Sequence, residues 1–401
     1  MPDATTSLFW ILVCVVLAPL LAGLAPRRRV PEVVLLLVLG VVVGPHVLAL
    51  AGTDDAIAML RQLGLGMLFL LAGYEIEVRE LTGRGGRRAL WTWLACLATA
   101  LAVIWVLGLT GSIHAEVAVA IALTSTALGT LLPILRDGGL LGTRLGGTVM
   151  HHGAYGELGP IVAMAVLLGT RGPVASLLVL VGFTVIAVVV SQFSAGVQRE
   201  GTRMLSVIRA GAETTAQTTV RLTMLLLVTL GALAVWFQLD SVLGAFAAGL
   251  VLRRLLPAGH SGLELRLNGL AFGFLIPVFF VTSGMAIDPA AVLSEPGALV
   301  VFVVLILLIR GGLVLVAEHW SGTATLPGYD AGERLAIALF ASTGLPVIVA
   351  VTATAVASGQ MSQTSASVLT AGGALTVLVC PLAATLLLSR RPSPARPGRP
   401  G

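Results

Sequence analysis

Two charged residues lie deep inside apolar segments of the sequence, where a charge can bind an ion. Glu157 lies about ten residues into segment 147–169 and Arg310 about thirteen residues into segment 297–317. As helices, these segments would place both residues at depths of roughly 15 to 20 Å, near the middle of a hydrocarbon layer about 30 Å thick. An ionised side chain there costs at least about 2.5 to 3.5 kcal/mol, so a functional role is the first hypothesis.

The carboxyl group of Glu157 is a candidate for exchanging a proton for a cation. Burial favours the protonated acid, and a guanidinium nearby favours the carboxylate, so the two effects together can keep proton exchange possible at physiological pH. Arg310 is therefore predicted to be the charge partner of Glu157. The alternative is an ion pair that only joins two helices. A chain that is 57% hydrophobic does not need such a costly pair to pack.

Three further titratable residues are candidates for sensing pH at the mouth of the site. His151 and His152 lie about one helical turn inside the segment that carries Glu157, and imidazole titrates near neutrality. Glu75 ends an earlier apolar segment. The alternative is that all three are ordinary side chains at the membrane–water interface.

Two of the apolar segments are interrupted halfway by residues that disfavour helix. They are seven segments apart along the chain, an odd number, so they should cross the membrane in opposite directions. Paired interruptions in inverted halves indicate a transporter binding site near the midplane, whereas the alternative is that these residues only pack helices together. The interruptions consist of Thr124, Ser125 and Thr126 in one segment, and of Ser342, Thr343, Gly344 and Pro346 in the other.

The composition predicts an all-α membrane protein with about thirteen transmembrane helices. Only 11% of the residues are charged, and no soluble fold could bury so much apolar surface. The predicted segments are 8–25, 31–49, 57–75, 89–111, 113–136, 147–169, 173–195, 217–237, 239–256, 268–288, 297–317, 333–356 and 364–388. Residues 1–389 would form one membrane domain, and 390–401 a disordered tail.

The basic residues orient the chain. All 24 are arginine, and 21 of them fall in every second connection or at the C-terminus. This bias places the N-terminus outside and the C-terminus in the cytoplasm, and it explains the net charge of +5 without a nucleic-acid partner. Without lysine there is no P-loop, so an ion gradient must drive any transport. HExxH and GxSxG motifs are absent too, so neither an enzyme nor a cofactor is expected.

Four stretches of the sequence resemble the monovalent cation:proton antiporter superfamily, the sodium/hydrogen exchangers. They are PEVVLLLVLGVVVGP (31–45), LGLGMLFLLAGYEIE (63–77), LGAFAAGLVL (243–252) and IPVFFVTSGMAID (276–288). The resemblance implies a bacterial inner-membrane homodimer of the sodium/proton antiporter fold, with inverted repeats and two crossed, discontinuous helices. Its core helices would be roughly 57–169 and 268–388, and its dimerisation helices roughly 8–49 and 173–256.

The resemblance also implies roles for individual residues. Glu157 matches the acid that binds the ion and proton, Arg310 the basic residue of a core helix, and Thr124 to Thr126 the polar residues of a broken helix. Gly156 replaces an acidic or amide residue of the family's pattern. A single carboxylate leads us to expect electroneutral exchange of one cation for one proton. The choice between Na⁺, K⁺ and Li⁺ stays open.

Three other functions are compatible with such a chain. A transporter or channel of the same fold could carry another small solute, a relative could act as a sensor without transport, and an intramembrane enzyme could share the helical composition. We expect cation–proton exchange, because a buried carboxylate facing two helix breaks suits an ion better than the other candidates.

Overall fold

The computed structural model describes residues 2–24, 31–76, 81, 83–108, 113–168, 173–199, 217–255, 261–320 and 328–389. Within these ranges all regular secondary structure is helical. The helices are α1 (Ala4–Leu24), α2 (Glu32–Val43), α3 (Asp55–Glu75), α4 (Gly83–Leu107), α5 (Ile113–Leu123), α6 (Leu128–Asp137), α7 (Arg144–Leu167), α8 (Pro173–Arg199), α9 (Thr218–Trp236), α10 (Ser241–Leu255), α11 (Ser261–Leu270, Ala271–Leu275 and Ile276–Met285), α12 (Pro289–Ser294), α13 (Pro296–Leu305, Ile306–Gly311 and Gly312–His319), α14 (Ala331–Ala341), α15 (Leu345–Ala357) and α16 (Gln363–Ser389).

The helices have the length and composition of membrane spans. In the described part of the chain, nine helical stretches are long and apolar enough to cross a bilayer, and two further apolar helices are shorter. One of the short helices is α2, which ends at Val43 and not at the predicted 49, because Gly44 and Pro45 follow it. The total of thirteen crossings stays a prediction.

Close packing between helices depends on glycines in the four recognised stretches. A methyl group at Gly73 of α3 would overlap the backbone carbonyl of Phe246 in α10, and one at Gly249 would overlap that of Leu70 in α3. Helix backbones in a membrane approach each other closely only where side chains are small. These two glycines therefore allow α3 and α10 to pack against each other.

Two helices contain a π-helical turn. In α11 the turn spans Ala271–Leu275 and lies just before Pro277, whose missing N–H and bulky ring disrupt the regular bonding pattern. In α13 it spans Ile306–Gly311 and contains Arg310. A single π-helical turn inside a helix is frequent at functional sites.

The two predicted interruptions are true helix breaks. Helix α5 ends at Leu123 and α6 begins at Leu128, while α14 ends at Ala341 and α15 begins at Leu345. Pro346 lies in the first turn of α15, where its missing N–H needs no partner, and so follows the break instead of forming it. Thr124 to Thr126, Ser342, Thr343 and Gly344 lie in the breaks themselves.

The predicted division into core and dimerisation helices stays a prediction. Helices α3 and α11, which it assigns to the core, pack most extensively against α10 and α2 of the other group. The helices that flank the breaks are α5, α6, α14 and α15, and they lie in the part that the division calls the core. Together with α7 and α13, these helices position the candidate site.

Candidate ion-binding site

The two breaks cross and bond to each other. The backbone N–H of Ala127 donates to the carbonyl oxygen of Thr343 at 2.6 Å, and the Ser125 hydroxyl oxygen lies 3.3 Å from the carbonyl oxygen of Gly344. The Thr126 hydroxyl donates to the carbonyl oxygen of Ala341. Unwound backbone inside a membrane needs such partners, because no water is available in the hydrocarbon layer. Each break therefore supplies hydrogen-bonding groups that the other requires.

Gly344 lets the two breaks approach. A methyl group there would overlap the Ser125 hydroxyl oxygen and would lie 2.8 Å from the Ser125 carbonyl oxygen. Any larger residue would separate the two chains at this point. The glycine predicted as part of the broken helix is thus a packing requirement of the crossing.

The hydroxyl groups of the first break are fully buried, and each donates its proton to a backbone carbonyl. The Thr124 hydroxyl donates to Ile121 at 2.8 Å, and that of Ser125 donates to Ala122 at 2.7 Å. A hydroxyl that donates keeps its oxygen lone pairs for an electropositive partner. The oxygens of this break have the chemistry of ligands for a hard cation.

Glu157 lies on α7 next to the crossing. Its side chain is only 2% exposed, and its Oε2 accepts a hydrogen bond of 3.2 Å from the backbone N–H of Leu128, the first residue of α6. The amino end of a helix carries partial positive charge and stabilises a carboxylate. The neighbouring Gly156 carbonyl accepts the N–H of Thr126 at 2.8 Å, which fixes α7 against the same break.

Arg310 lies on the π-helical turn of α13 and is completely buried. Its Nε donates to the Thr126 hydroxyl at 3.0 Å, and its Nη2 donates to the carbonyl oxygen of His152 at 2.7 Å. Its Nη1 lies 3.9 Å from the sulfur of Cys96. The guanidinium therefore binds the break and the backbone of α7.

Arg310 does not form the direct ion pair with Glu157 that a charge partner suggests. Within the described residues, no nitrogen of the guanidinium lies within 4.0 Å of the Glu157 carboxylate. The two charged groups bind the same break instead, Arg310 through the side chain of Thr126 and Glu157 through the backbone of Leu128. Whether Arg310 tunes proton exchange stays a prediction.

Gly156 leaves room for the guanidinium of Arg310 next to Thr126. A methyl group at this position would overlap Nη2 of Arg310 and the hydroxyl of Thr126. The space that a longer residue would need is thus filled by the arginine. The position of Arg310 therefore depends on the glycine that replaces the family's usual residue at 156.

The other three candidates have different surroundings. His152 is 1% exposed and its Nε2 lies 3.1 Å from Oε1 of Glu318, while the adjacent His151 is only partly buried. Glu75 is the last residue of α3 and lies close enough to Glu157 to interact with it electrostatically. The alternative of an ordinary interfacial side chain does not fit the buried His152, and the sensing role of all three stays a prediction.

Sequence reasoning missed Glu318 and Cys96, which contact His152 and Arg310 respectively. Glu318 lies eight residues after Arg310, just beyond the predicted segment 297–317. Residues seven or eight apart lie on one face of a helix, so this spacing was an available signal. Nothing in the sequence around Cys96 distinguishes it from a packing residue.

Several known proteins are similar to this chain. YjbQ of Bacillus subtilis, named as a Na⁺/H⁺ antiporter, is 23% identical over 85% of this chain, which spans 58% of the length of YjbQ. The Na⁺/H⁺-K⁺ antiporter GerN of Bacillus cereus is 25% identical over 70% of this chain and 71% of its own length.

The fold matches that of solved antiporter structures. Two structures of the sodium proton antiporter MjNhaP1 from Methanocaldococcus jannaschii superpose with TM-scores of 0.62 and 0.65, at 16% and 17% identity. The first match covers 96% of both chains, and the second covers 98% of this chain and all of the other. At this identity the match shows the fold alone, and it confirms the predicted sodium/proton antiporter fold.

The family assignment rests on most of the chain. A model described as the transmembrane sodium/hydrogen exchanger matches residues 12–390, a range that includes both helix breaks, Glu157 and Arg310. Membership confirms the resemblance seen in the four stretches. The chain is a multi-pass membrane protein that belongs to the sodium/hydrogen exchanger family.

Proposed function

We propose that this chain exchanges a monovalent cation, Na⁺ or K⁺, for H⁺ by alternating access, with the proton and the cation competing for Glu157. The observation that carries the proposal is the position of Glu157, which is buried beside two crossed helix breaks and held by a single backbone N–H. The family and fold support cation–proton exchange, and the name of GerN includes both Na⁺ and K⁺.

Competition at Glu157 follows from its surroundings. A carboxylate at the amino end of α6 is accessible to either a proton or a cation, because no guanidinium in the described residues neutralises it directly. Oxygens from Thr124, Ser125 and Thr126 complete the ligand set for a dehydrated cation. A proton on Glu157 removes the negative charge that holds the cation, so binding of one excludes the other.

The exchange is electroneutral. Gly156 leaves Glu157 as the one acidic residue beside the crossing in α7, so each cycle moves one positive charge in each direction. The driving force is then the difference between two concentration gradients, and each pH unit contributes about 1.4 kcal/mol.

The transporter acts in the bacterial inner membrane, with the N-terminus outside and the C-terminus in the cytoplasm. The arginine bias along the sequence and the bacterial relatives support this location. In this orientation the amino end of α7, with His151 and His152, faces the cytoplasm. Assembly as a homodimer stays a prediction.

The test is exchange in proteoliposomes that contain a pH-sensitive dye. Addition of Na⁺, K⁺ or Li⁺ should drive protons across the membrane in vesicles with the wild-type chain. Glu157→Gln keeps the size of the side chain but cannot bind a cation by charge or release a proton. We expect this variant to lose exchange to the level of protein-free vesicles with every cation.

The control is Glu295→Gln, the same chemical change at an exposed position before α13. It should exchange like the wild type. Cation-driven proton movement that survives in Glu157→Gln would contradict the proposed role of Glu157. Uptake of another solute that persists in this variant without any cation would instead support the alternative of a transporter or channel of the same fold.

A further inference from the structure

A second cluster of charged groups lies on α7 and α13, away from Glu157. Nε2 of His152 is 3.1 Å from Oε1 of Glu318, and Nη1 of Arg88 is 3.5 Å from the other oxygen, Oε2. The side chains of His152 and Glu318 are 1% and 2% exposed, while that of Arg88 is 37% exposed. The cluster therefore has a buried pair and one residue that reaches the surface.

Packing alone does not account for the buried pair. A carboxylate and an imidazole inside a membrane protein lose much of their hydration, and apolar side chains of similar size would join two helices at lower cost. Polar groups in membrane helices are expensive and mark functional sites. The cluster thus needs a function beyond joining α7 to α13.

The cluster connects to the ion site through the backbone of His152. The imidazole of His152 bonds to Glu318, and the carbonyl oxygen of the same residue accepts the 2.7 Å hydrogen bond from Arg310. Arg310 and Glu318 are eight residues apart on α13, about 12 Å along the helix. His152 is therefore held on both sides by the same neighbouring helix.

The pair has a defined place for a proton. We assign Glu318 as ionised because it pairs with Arg88. An ionised carboxylate only accepts hydrogen bonds, so Nε2 of His152 is assigned as the donor to Glu318. Nδ1 is buried and has no hydrogen-bond partner among the described residues. A proton gained by the ring would therefore reside on Nδ1. The charged groups that face the ring are Glu318 and Arg310 on α13 and His151 on α7, with Arg88 of α4 behind Glu318.

We propose that Glu318 and His152 form a second proton-binding site, which regulates the ion site through Arg310. This proposal rests on the proposed exchange function. A proton on His152 places a positive charge next to the peptide group that anchors Arg310, so the guanidinium shifts relative to Thr126 and Glu157. Protons reach the pair from the compartment at the amino end of α7, along the partly exposed side chain of Arg88. Glu318 acts as a positioning residue and does not contact the transported ion.

Direct protonation of His152 is measured by NMR on protein labelled with ¹⁵N-histidine in detergent micelles. The chain has six histidines, and the signal of His152 is assigned by its loss in His152→Gln. Exchange by the same preparations is measured in proteoliposomes as a function of pH. We expect the His152 signal to titrate with one pH midpoint, and the rate of exchange to change with a midpoint at the same pH. Glu318→Gln should move both by about 1 pH unit or more and by the same amount, because a carboxylate at hydrogen-bond distance strongly affects the imidazole.

The matched control is His319→Gln, which changes the exposed residue next to Glu318 and should move neither midpoint. A His152 signal that does not titrate would overturn the proposal, and so would an NMR midpoint that moves in Glu318→Gln while the exchange midpoint stays. His152→Gln should still exchange, but its rate should lack the pH midpoint that the wild type shares with the His152 signal. If the rate keeps this midpoint in His152→Gln, the proposal is also overturned. If the wild type exchanges no cation, the proposed function itself fails, and the NMR midpoints still decide whether the pair binds a proton.

Discussion

At the scale of single residues, an absent side chain organises the candidate site. Gly156 leaves the space that Arg310 occupies, and from there the guanidinium reaches Thr126 and the carbonyl oxygen of His152. The arginine is fully buried, and these bonds use two of its five N–H donors. The shape of the backbone at position 156 thus determines where the positive charge of the site lies.

Substitution of Gly156 tests this dependence. In Gly156→Ala the new methyl group overlaps Arg310 and Thr126, so the guanidinium must leave its hydrogen bonds. We expect exchange in proteoliposomes to fall by about tenfold or more, as loss of a charge-assisted hydrogen bond costs about 1.5 to 3 kcal/mol.

Gly182→Ala on α8 is the control, since a methyl group there meets no atom within 4 Å. It should exchange like the wild type. Wild-type activity of Gly156→Ala, with both variants equally abundant in the membrane, would show that the site does not need this guanidinium position.

The sequence predicted which residues reach the middle of the membrane but not which of them touch. Counting along a helix gives depth, and from depth Glu157 and Arg310 were expected to pair. Their contacts depend also on the rotation of α7 and α13 about their axes, which counting does not provide. His151 and His152 illustrate the same point. Neighbouring residues point about 100° apart on a helix, so one lies near the surface and the other is buried.

At the scale of helices, two of the stretches that resemble the family contain glycines that allow helices to pack closely. Gly73 in LGLGMLFLLAGYEIE and Gly249 in LGAFAAGLVL face backbone carbonyls across the contact between α3 and α10. A backbone carbonyl cannot move aside as the end of a flexible side chain can. The glycines at this contact are therefore required by structure and not by ion binding.

A packing role predicts a loss of stability. In Gly73→Ala the methyl group overlaps the Phe246 carbonyl and forces α3 and α10 apart. Overpacking of this kind costs about 1 to 3 kcal/mol, so the thermal unfolding midpoint in detergent should fall by about 2 to 10 °C. The control is Gly231→Ala on α9, which meets no atom within 4 Å and should unfold at the wild-type temperature or slightly above it. An unchanged midpoint in Gly73→Ala would contradict the packing role.

The helix breaks were predictable, whereas the π-helical turn that contains Arg310 was not. Ser, Thr, Gly and Pro in the middle of an apolar segment are uncommon enough to indicate an interruption. Nothing comparable marks Ile306–Gly311, where apolar residues surround Arg310. An extra residue in one turn has no sequence signature of its own, because tertiary contacts such as those of Arg310 determine where it is tolerated.

At the scale of the whole molecule, composition and charge gave the correct class of protein. Apolar segments led to a multi-pass membrane protein before any contact was known. The number of crossings is harder to derive from length alone. Short helices such as α2, and spans divided in two such as α5 with α6, do not individually reach the length of a full crossing.

The proposed electroneutral exchange concerns the whole molecule and can be tested with the membrane potential. A cycle that moves one Na⁺ against one H⁺ transfers no net charge, so a potential set by K⁺ and valinomycin should not change net Na⁺-driven proton movement. Transfer of one net charge would gain about 2.3 kcal/mol per 100 mV, a bias of about 50-fold. A potential of either sign that drives exchange in the absence of Na⁺ and H⁺ gradients would contradict one-for-one stoichiometry.

The reciprocal bonding of the two helix breaks has a consequence for how the site can be displaced. The N–H of Ala127 and the carbonyl of Thr343, like the hydroxyl of Thr126 and the carbonyl of Ala341, are satisfied by each other. Such bonds survive any motion in which both loops travel together, and they are lost if one loop travels alone. A movement of the ion site along the membrane normal therefore costs least when both helix breaks move as one rigid unit. The hydrogen bonds between the breaks then stay intact and shielded from water.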